Sequence, residues 1–261
     1  MLKIFKDSTD YSMQMESYTT DQEVFEILSG ESIDVGYYKP INSLFIEMTL
    51  NAHLSDLTVQ YFNGSYVNLE VKDYTENLSR SGFIKWSNNQ TNQKKSTLHG
   101  LELYWYKLIL TGDDQDLTIK GINLNFSDDN DLKEEYPNIM DHTPDGQTSF
   151  VGFHQASRKD IISYFRNQGK LINGLSPKKI DQFDLLDFEE VREASKFLTL
   201  HKIFTWLSDG IDDKWYQKAQ DFGKKYSDKI NLFYLSIDDN DDGLEDASEK
   251  NAIKSVRIIR Q

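Results

Sequence analysis

Near residue 126 the hydrophobic period of this chain changes from two to between three and four, and no single kind of regular element accommodates both. Before the change, apolar and polar positions alternate. Leu44, Ile46, Met48 and Leu50 are separated by Phe45, Glu47 and Thr49, the pattern of a strand that buries one face. Residues 57–62 and 66–71 flank Asn63-Gly64, a dipeptide that tolerates positive φ and closes tight hairpins whose twist matches the strands. Residues 101–110 read as a long, partly two-faced strand, and Leu117, Ile119, Ile122, Leu124 and Phe126 follow a similar pattern. Short strands at this spacing predict an antiparallel β-sandwich, jelly-roll-like, over residues 1–127.

Ser127-Asp128-Asp129-Asn130-Asp131 follows, then Pro137, Pro144 and Asp145-Gly146, and these turn signals predict a linker at 128–147. Over 148–261 the spacing is helical. Ser157 with Asp160 resembles a capping pair for a helix through Ile161, Tyr164 and Phe165 that stops near Gly169. Ser176-Pro177 predicts a second start, running through Ile180 and Phe183. Asp187 with Glu190 opens a third helix carrying Val191, Ala194, Phe197, Leu198, Ile203, Phe204 and Leu207. In the fourth, Trp215, Ala219, Phe222, Tyr226, Ile230, Phe233 and Ile237 are spaced 4, 3, 4, 4, 3 and 4 residues apart. The expected class is a two-domain chain, all-β then all-α, whose small helical bundle ends in an extended C-terminal arm at 255–260.

Charge and residue usage exclude several functions. With 29 Lys and Arg against 43 Asp and Glu, the formal charge of −14 is unsuited to gripping DNA by neutralising its phosphates. The chain has no cysteine, so disulfides, thiol nucleophiles and Cys-ligated zinc are excluded. His53, His99, His142, His154 and His201 show no ligand spacing, and their separate segments argue against a catalytic triad. Walker, dinucleotide and nucleophile-elbow motifs are absent, so an enzyme is not expected. Trp86, Tyr104, Trp105 and Tyr106 could form a stacking platform for sugars, but at strand spacing they read better as core. The opening Met1-Leu2-Lys3-Ile4-Phe5-Lys6-Asp7 does not resemble a signal peptide, and no run approaches the roughly 20 apolar residues of a membrane span. A soluble protein made in the cytoplasm, without a membrane partner, is expected.

The segment 238–249 places acidic or amide oxygens at loop positions 1, 3, 5, 9 and 12 and Gly243 at position 6, the spacing of a calcium loop. Asp238, Asn240, Asp242 and Glu249 would ligate directly, Leu244 through its carbonyl and Asp246 through water. Glu245 stands where an aliphatic residue is usual and no second helix is evident beyond the loop, so the match is half an EF-hand. A solvated acidic turn explains the same residues. No cofactor is required, and Ca2+ is the one the spacing would admit.

Gly82-Phe83-Ile84-Lys85-Trp86, Leu98-His99-Gly100-Leu101-Glu102-Leu103-Tyr104-Trp105-Tyr106-Lys107-Leu108 and Lys120-Gly121-Ile122-Asn123-Leu124 resemble a β-sandwich module of tailed-bacteriophage virion proteins. The helical half is similar to phage head-tail connector (adaptor, or neck) proteins. Asp184-Leu185-Leu186-Asp187-Phe188-Glu189-Glu190-Val191-Arg192-Glu193-Ala194, Ile203-Phe204-Thr205-Trp206-Leu207-Ser208-Asp209, Trp215-Tyr216-Gln217-Lys218-Ala219 and the Asp/Gly-rich turn carry that likeness. The resemblance implies a homo-oligomeric ring, a dodecamer, below the portal protein in the virion neck. Such a ring joins the next neck or tail protein and lets DNA pass without sequence-specific binding. An acidic channel suits sliding DNA. The arm, through Val256, Ile258 and Arg260, is expected to contact the portal or a neighbouring subunit. The alternative is a calcium-assisted carbohydrate-binding or receptor-binding β-sandwich on a phage or bacterial surface.

Overall fold

The computed structural model describes residues 2–16, 25–27, 30–48, 56–76, 78–86, 93–111, 117–167, 171–172, 176–177, 182–185, 188–211, 213–232, 234–236 and 250–252. The chain divides into two compact units, one centred on Met1–Leu124 and the other on Asn125–Pro144 with Phe150–Asp239.

In the first unit the strands are β1 (Lys3–Lys6), β2 (Thr9–Asp10), β3 (Phe25–Ile27), β4 (Ser32–Tyr37), β5 (Ser43–Met48), β6 (Asp56–Phe62), β7 (Tyr66–Asn68), β8 (Val71–Asp73), β9 (Gly82–Trp86), β10 (Ser96–Leu98), β11 (Leu101–Thr111) and β12 (Leu117–Asn123). All pair antiparallel. They form a seven-stranded sheet of order β2-β1-β4-β11-β6-β7, with β10 added to β11, and a five-stranded sheet of order β3-β12-β5-β9-β8. Alternation along β11 sends Tyr106 towards β9 of the other sheet. Its ring lies 5.3 Å from that of Trp86, and its hydroxyl accepts the Ile41 N–H while Trp86 Nε1 donates to the Ile41 carbonyl. Both polar tips are thus satisfied inside an apolar core.

The second unit comprises α2 (Asp129–Glu135), a 3-10 turn at Ile139–His142, α3 (Val151–Asn167), β13 (Leu171–Ile172), β14 (Ser176–Pro177), a 3-10 turn at Gln182–Asp184, α4 (Glu189–Leu207), α5 (Lys214–Leu232), β15 (Tyr234–Ser236) and β16 (Lys250–Ala252). The core gathers Leu132, Ile139, Phe150, Phe197, Leu200, Ile203, Phe204, Ala219 and Phe222. Phe204 stacks on Trp215 at 5.6 Å and on Phe222 at 5.5 Å, and Tyr136 meets it edge-on at 5.3 Å. The i, i+4, i+7 stripe of α5 is therefore its packing face, as its spacing predicts.

Several expectations need correction. The sheet-bearing unit also contains α1 (Ser12–Glu16), so it is not purely β. Every residue of β5 is buried rather than alternate ones. Residues 66–71 do not make one strand: β7 pairs with β6, whereas Val71 begins β8 in the other sheet. The segment 128–147 is not an open linker, because α2 and the following turn bury Leu132 and Ile139 in the second unit's core. Helix α3 begins at Val151, and Ser157 lies inside it, fully buried, where its Oγ accepts from Thr199 Oγ1 at 2.9 Å instead of capping. Ser176-Pro177 forms β14 against β13 rather than a helix start. Asn173-Gly174 between them is the turn signal that the helical reading overlooked. Helix α5 ends at Leu232, and Phe233 and Ile237 lie outside the described residues.

Candidate functional site

The densest polar chemistry in the second unit grows from the acidic run after Phe126. Asp128 is extended (φ −129°, ψ −179°) and caps α2: its Oδ1 accepts from Asp131 N–H at 2.9 Å, and Asp131 Oδ2 accepts from Asp128 N–H at 2.9 Å. This reciprocal box satisfies two donors that a helix start leaves orphaned, and the helix dipole favours acids there. Asp129, one residue on, takes another direction. Its Oδ1 accepts from Phe150 N–H at 3.1 Å and lies 3.3 Å from His154 Nε2 on α3. Ser127, just before the cap, places Oγ 2.9 Å from His154 Nδ1 and 2.8 Å from Ser195 Oγ on α4.

Hydroxyl, imidazole and carboxylate therefore stand in the order Ser127, His154, Asp129, the constellation used for nucleophilic catalysis. The separate segments of the sequence thus bring one histidine, His154, into a hydroxyl and carboxylate contact that their spacing does not announce. Access decides what the array can do. Ser127 and His154 are each 1% exposed, Asp129 2% and Ser195 0%, so a substrate carbonyl has no path to the hydroxyl. The groups instead tie the entry to α2, α3 and α4 together through buried hydrogen bonds. Arg192 on α4 adds a second tie. Its Nε and Nη2 each lie 2.9 Å from Asp131 Oδ1, and its Nη1 donates to Glu189 Oε1 at 3.1 Å. Burial, then the Asp128 carboxylate, pushes Asp131 up to about 6 against the pull of Arg192. Burial works against the Arg192 charge, but Asp131 and Glu189 outweigh it and raise its pKa.

A second cluster sits on the seven-stranded sheet of the first unit. Asp34 on β4 lies 2.9 Å from His99 Nε2 and 4.0 Å from Lys107 Nζ, and accepts from Tyr66 OH at 3.1 Å. Burial first, then the Asp34 charge, raises the Tyr66 pKa. His99 and Gly100 both have positive φ (51° and 75°), the backbone of a tight turn between β10 and β11, and the His99 ring stacks on Phe5 at 4.2 Å. Trp105 lies against Gly36 and donates Nε1 to the Ser96 carbonyl at 3.0 Å. Trp86, Trp105 and Tyr106 are each 1% exposed, so the aromatic strands are core, as expected, and three of the four rings cannot serve a sugar platform.

The residues singled out for calcium, Asp238, Asn240, Asp242, Leu244, Asp246 and Glu249, and those of the arm, Val256, Ile258 and Arg260, lie outside the described residues. Around the loop, β15 and β16 pair antiparallel, Tyr234 opposite Ala252 and Ser236 opposite Lys250, so strands bracket it rather than the two helices of an EF-hand. Among the described residues no group of three or more acidic or imidazole side chains is placed to hold a metal ion. Among them, too, no helix is long and apolar enough to cross a membrane.

No family model matches the chain, and no curated protein matches it. Among solved structures it is similar to the family 89 glycoside hydrolase from Clostridium perfringens in complex with PUGNAc, at 9% identity and TM-score 0.30 over 64% of this chain and 19% of that one. The same hydrolase with 2-acetamido-1,2-dideoxynojirmycin gives 10% identity and TM-score 0.27 over the same shares. The chain thus spans about one fifth of the length of these structures.

Proposed function

We propose that the chain is a structural virion protein, a head-tail connector that forms a ring below the portal, extends the DNA channel and joins capsid to tail. The observation that carries this reading is where the connector-like residues sit. Phe188, Val191, Ala194, Ile203, Phe204 and Ala219 are all buried, so what the sequence shares with connectors is a packing pattern of helices. The closed Ser127–His154–Asp129 array supports the same reading, since its reactive groups are engaged in holding helices. In this proposal the two sheets are the faces of a jelly-roll-like sandwich that projects outward, and the helical half makes the ring and portal contacts with the help of Val256, Ile258 and Arg260. Calcium at Asp238 to Glu249 would be a structural ion, a proposal that rests on the spacing of the sequence. Mixing the full chain with the cognate portal should give portal-bound rings in negative stain and a fixed stoichiometry by native mass spectrometry. Location at the distal tail tip, or glycan-array binding by a free monomer, would replace the connector with the carbohydrate- or receptor-binding module.

A further inference from the structure

The hairpin that joins β6 to β7 turns through Asn63-Gly64-Ser65, all three exposed. Gly64 has φ +81°, and a Cβ built on it would meet no atom within 4 Å, so its backbone nitrogen is open to the side chain that precedes it. Among the described residues Asn63 is the asparagine followed by glycine, and every other one precedes a residue that carries a Cβ. The Asn63 N–H donates to the Ser65 carbonyl at 3.0 Å, but neither its side-chain amide nor the Gly64 N–H has a hydrogen-bond partner among the described residues. Other asparagines are held. Asn68 accepts from Gln60 Nε2 at 2.7 Å, Asn130 accepts from Lys133 Nζ at 3.1 Å, and Asn231 Nδ2 donates to the Ser227 carbonyl at 2.7 Å.

From this we infer that Asn63 is a site of self-modification, at which the Gly64 nitrogen turns the side-chain amide into an isoaspartyl linkage that loosens the edge of the seven-stranded sheet. The Gly64 nitrogen gives its proton to solvent and attacks the Asn63 side-chain carbonyl carbon. A nitrogen–carbon bond forms, the Cγ–Nδ2 bond breaks, and ammonia leaves a five-membered cyclic imide. Water opens that ring at either carbonyl, returning an aspartyl residue or moving the chain onto the side-chain carbonyl as isoaspartate. The balance is one water consumed and one ammonia released, with no cofactor and no partner. Strand β7 is the edge of its sheet, paired with β6 through Gln60–Asn68, Tyr61–Val67 and Phe62–Tyr66. Tyr66 OH donates to Asp34 Oδ1 at 3.1 Å, and Lys107 Nζ lies 4.0 Å from the centre of its ring. Isoaspartate puts one extra methylene into the backbone of the turn, and hairpin register follows the turn. The lengthened turn therefore draws Tyr66 out of line with Phe62 and away from Asp34.

The test ages the folded full-length chain for several days at mildly alkaline pH and reads each asparagine by peptide fragmentation in a mass spectrometer. Asn173-Gly174 carries the same dipeptide, so the position is taken from the fragments and not from the total mass. Asn63 should gain a carboxylate at least about tenfold faster than Asn68 or Asn130, with isoaspartate exceeding aspartate. A protein-isoaspartate methyltransferase should label the peptide that contains it, and Asn63→Gln, whose longer side chain closes the ring poorly, should remove that label. Hydrogen exchange across residues 66–68 should quicken by about tenfold or more in the aged chain. It should stay unchanged in Asn63→Asp, which brings the new charge without the extra methylene. Reaction at Asn63 no faster than at Asn68, reaction only after unfolding in urea, or unaltered exchange in the aged chain would overturn the inference. Equal quickening in Asn63→Asp would also overturn it, by assigning the loosened edge to charge.

Discussion

The Arg192 guanidinium on α4 grips the Asp131 carboxylate on α2 through Nε and Nη2, each 2.9 Å from the same oxygen. Helix α2 has only seven residues, too few to persist alone, so its place in the second unit depends on this grip, on the capping box and on burial of Leu132. Removing one partner of a buried pair leaves the other charge without compensation. Arg192→Met should therefore cost about 3–5 kcal/mol, read from the midpoint of urea unfolding. A loss below about 1 kcal/mol would place the pair among exposed ion pairs of little consequence.

Stability should also depend on pH through Asp131. Its pKa rises from 3.8 to about 6 on folding, so between those values the folded chain holds a proton that the unfolded chain has released. This contribution is present below the ordinary carboxylate range and is lost as pH rises through about 6. The second unit should thus lose about 1–3 kcal/mol from this residue between pH 4 and pH 7. Asp131→Asn in the Arg192→Met background should flatten that slope in urea titrations. An unchanged slope would assign the pH dependence elsewhere.

Ser127→Ala removes the hydroxyl between His154 and Ser195 and leaves two buried groups short of a partner. The expected cost is about 1–3 kcal/mol, measured by thermal or urea unfolding. Ser195→Ala should cost less, because Ser127 Oγ and His154 Nδ1 keep each other. Equal losses would mean that the hydroxyl pair, not the imidazole contact, carries the stability.

What could be read from the sequence follows the range of the interactions involved. The β6–β7 hairpin is set by Asn63-Gly64 and the α5 stripe by spacings of three and four residues, and both stand in the structure. Ser127, Asp129, His154 and Ser195 meet only because α2, α3 and α4 pack together, and no local pattern announces that. The one available signal was Asp128 three residues before Asp131, which itself precedes the apolar Leu132, a pattern that reads as a helix start once acidic caps are considered. Burial on both faces of β5 was hidden because Phe45 and Glu47 occupy positions that alternation assigns to solvent. Residues 66–71 look like one strand because composition cannot show where a chain leaves one sheet for another.

Gly36 and Gly64 offer the last test, since each resists a side chain for a different reason. At Gly36 an added Cβ would come within 2.6 Å of the Trp105 ring, which lies flat over the backbone of β4. At Gly64 there is open space, but φ is +81°, a conformation that side chains disfavour. Gly36→Ala is overpacking and should cost about 1–3 kcal/mol, while Gly64→Ala should cost about 1–2 kcal/mol through backbone strain. The two mechanisms separate in a double-mutant cycle with Trp105→Leu. Shrinking the indole should recover part of the Gly36→Ala loss, because the clash and its relief share one contact, and should add independently to Gly64→Ala, which touches neither ring nor strand β4. Additivity at both positions would mean that the Trp105 ring moves aside at little cost, and that the packing of the indole on Gly36 does not hold the β10–β11 turn in place.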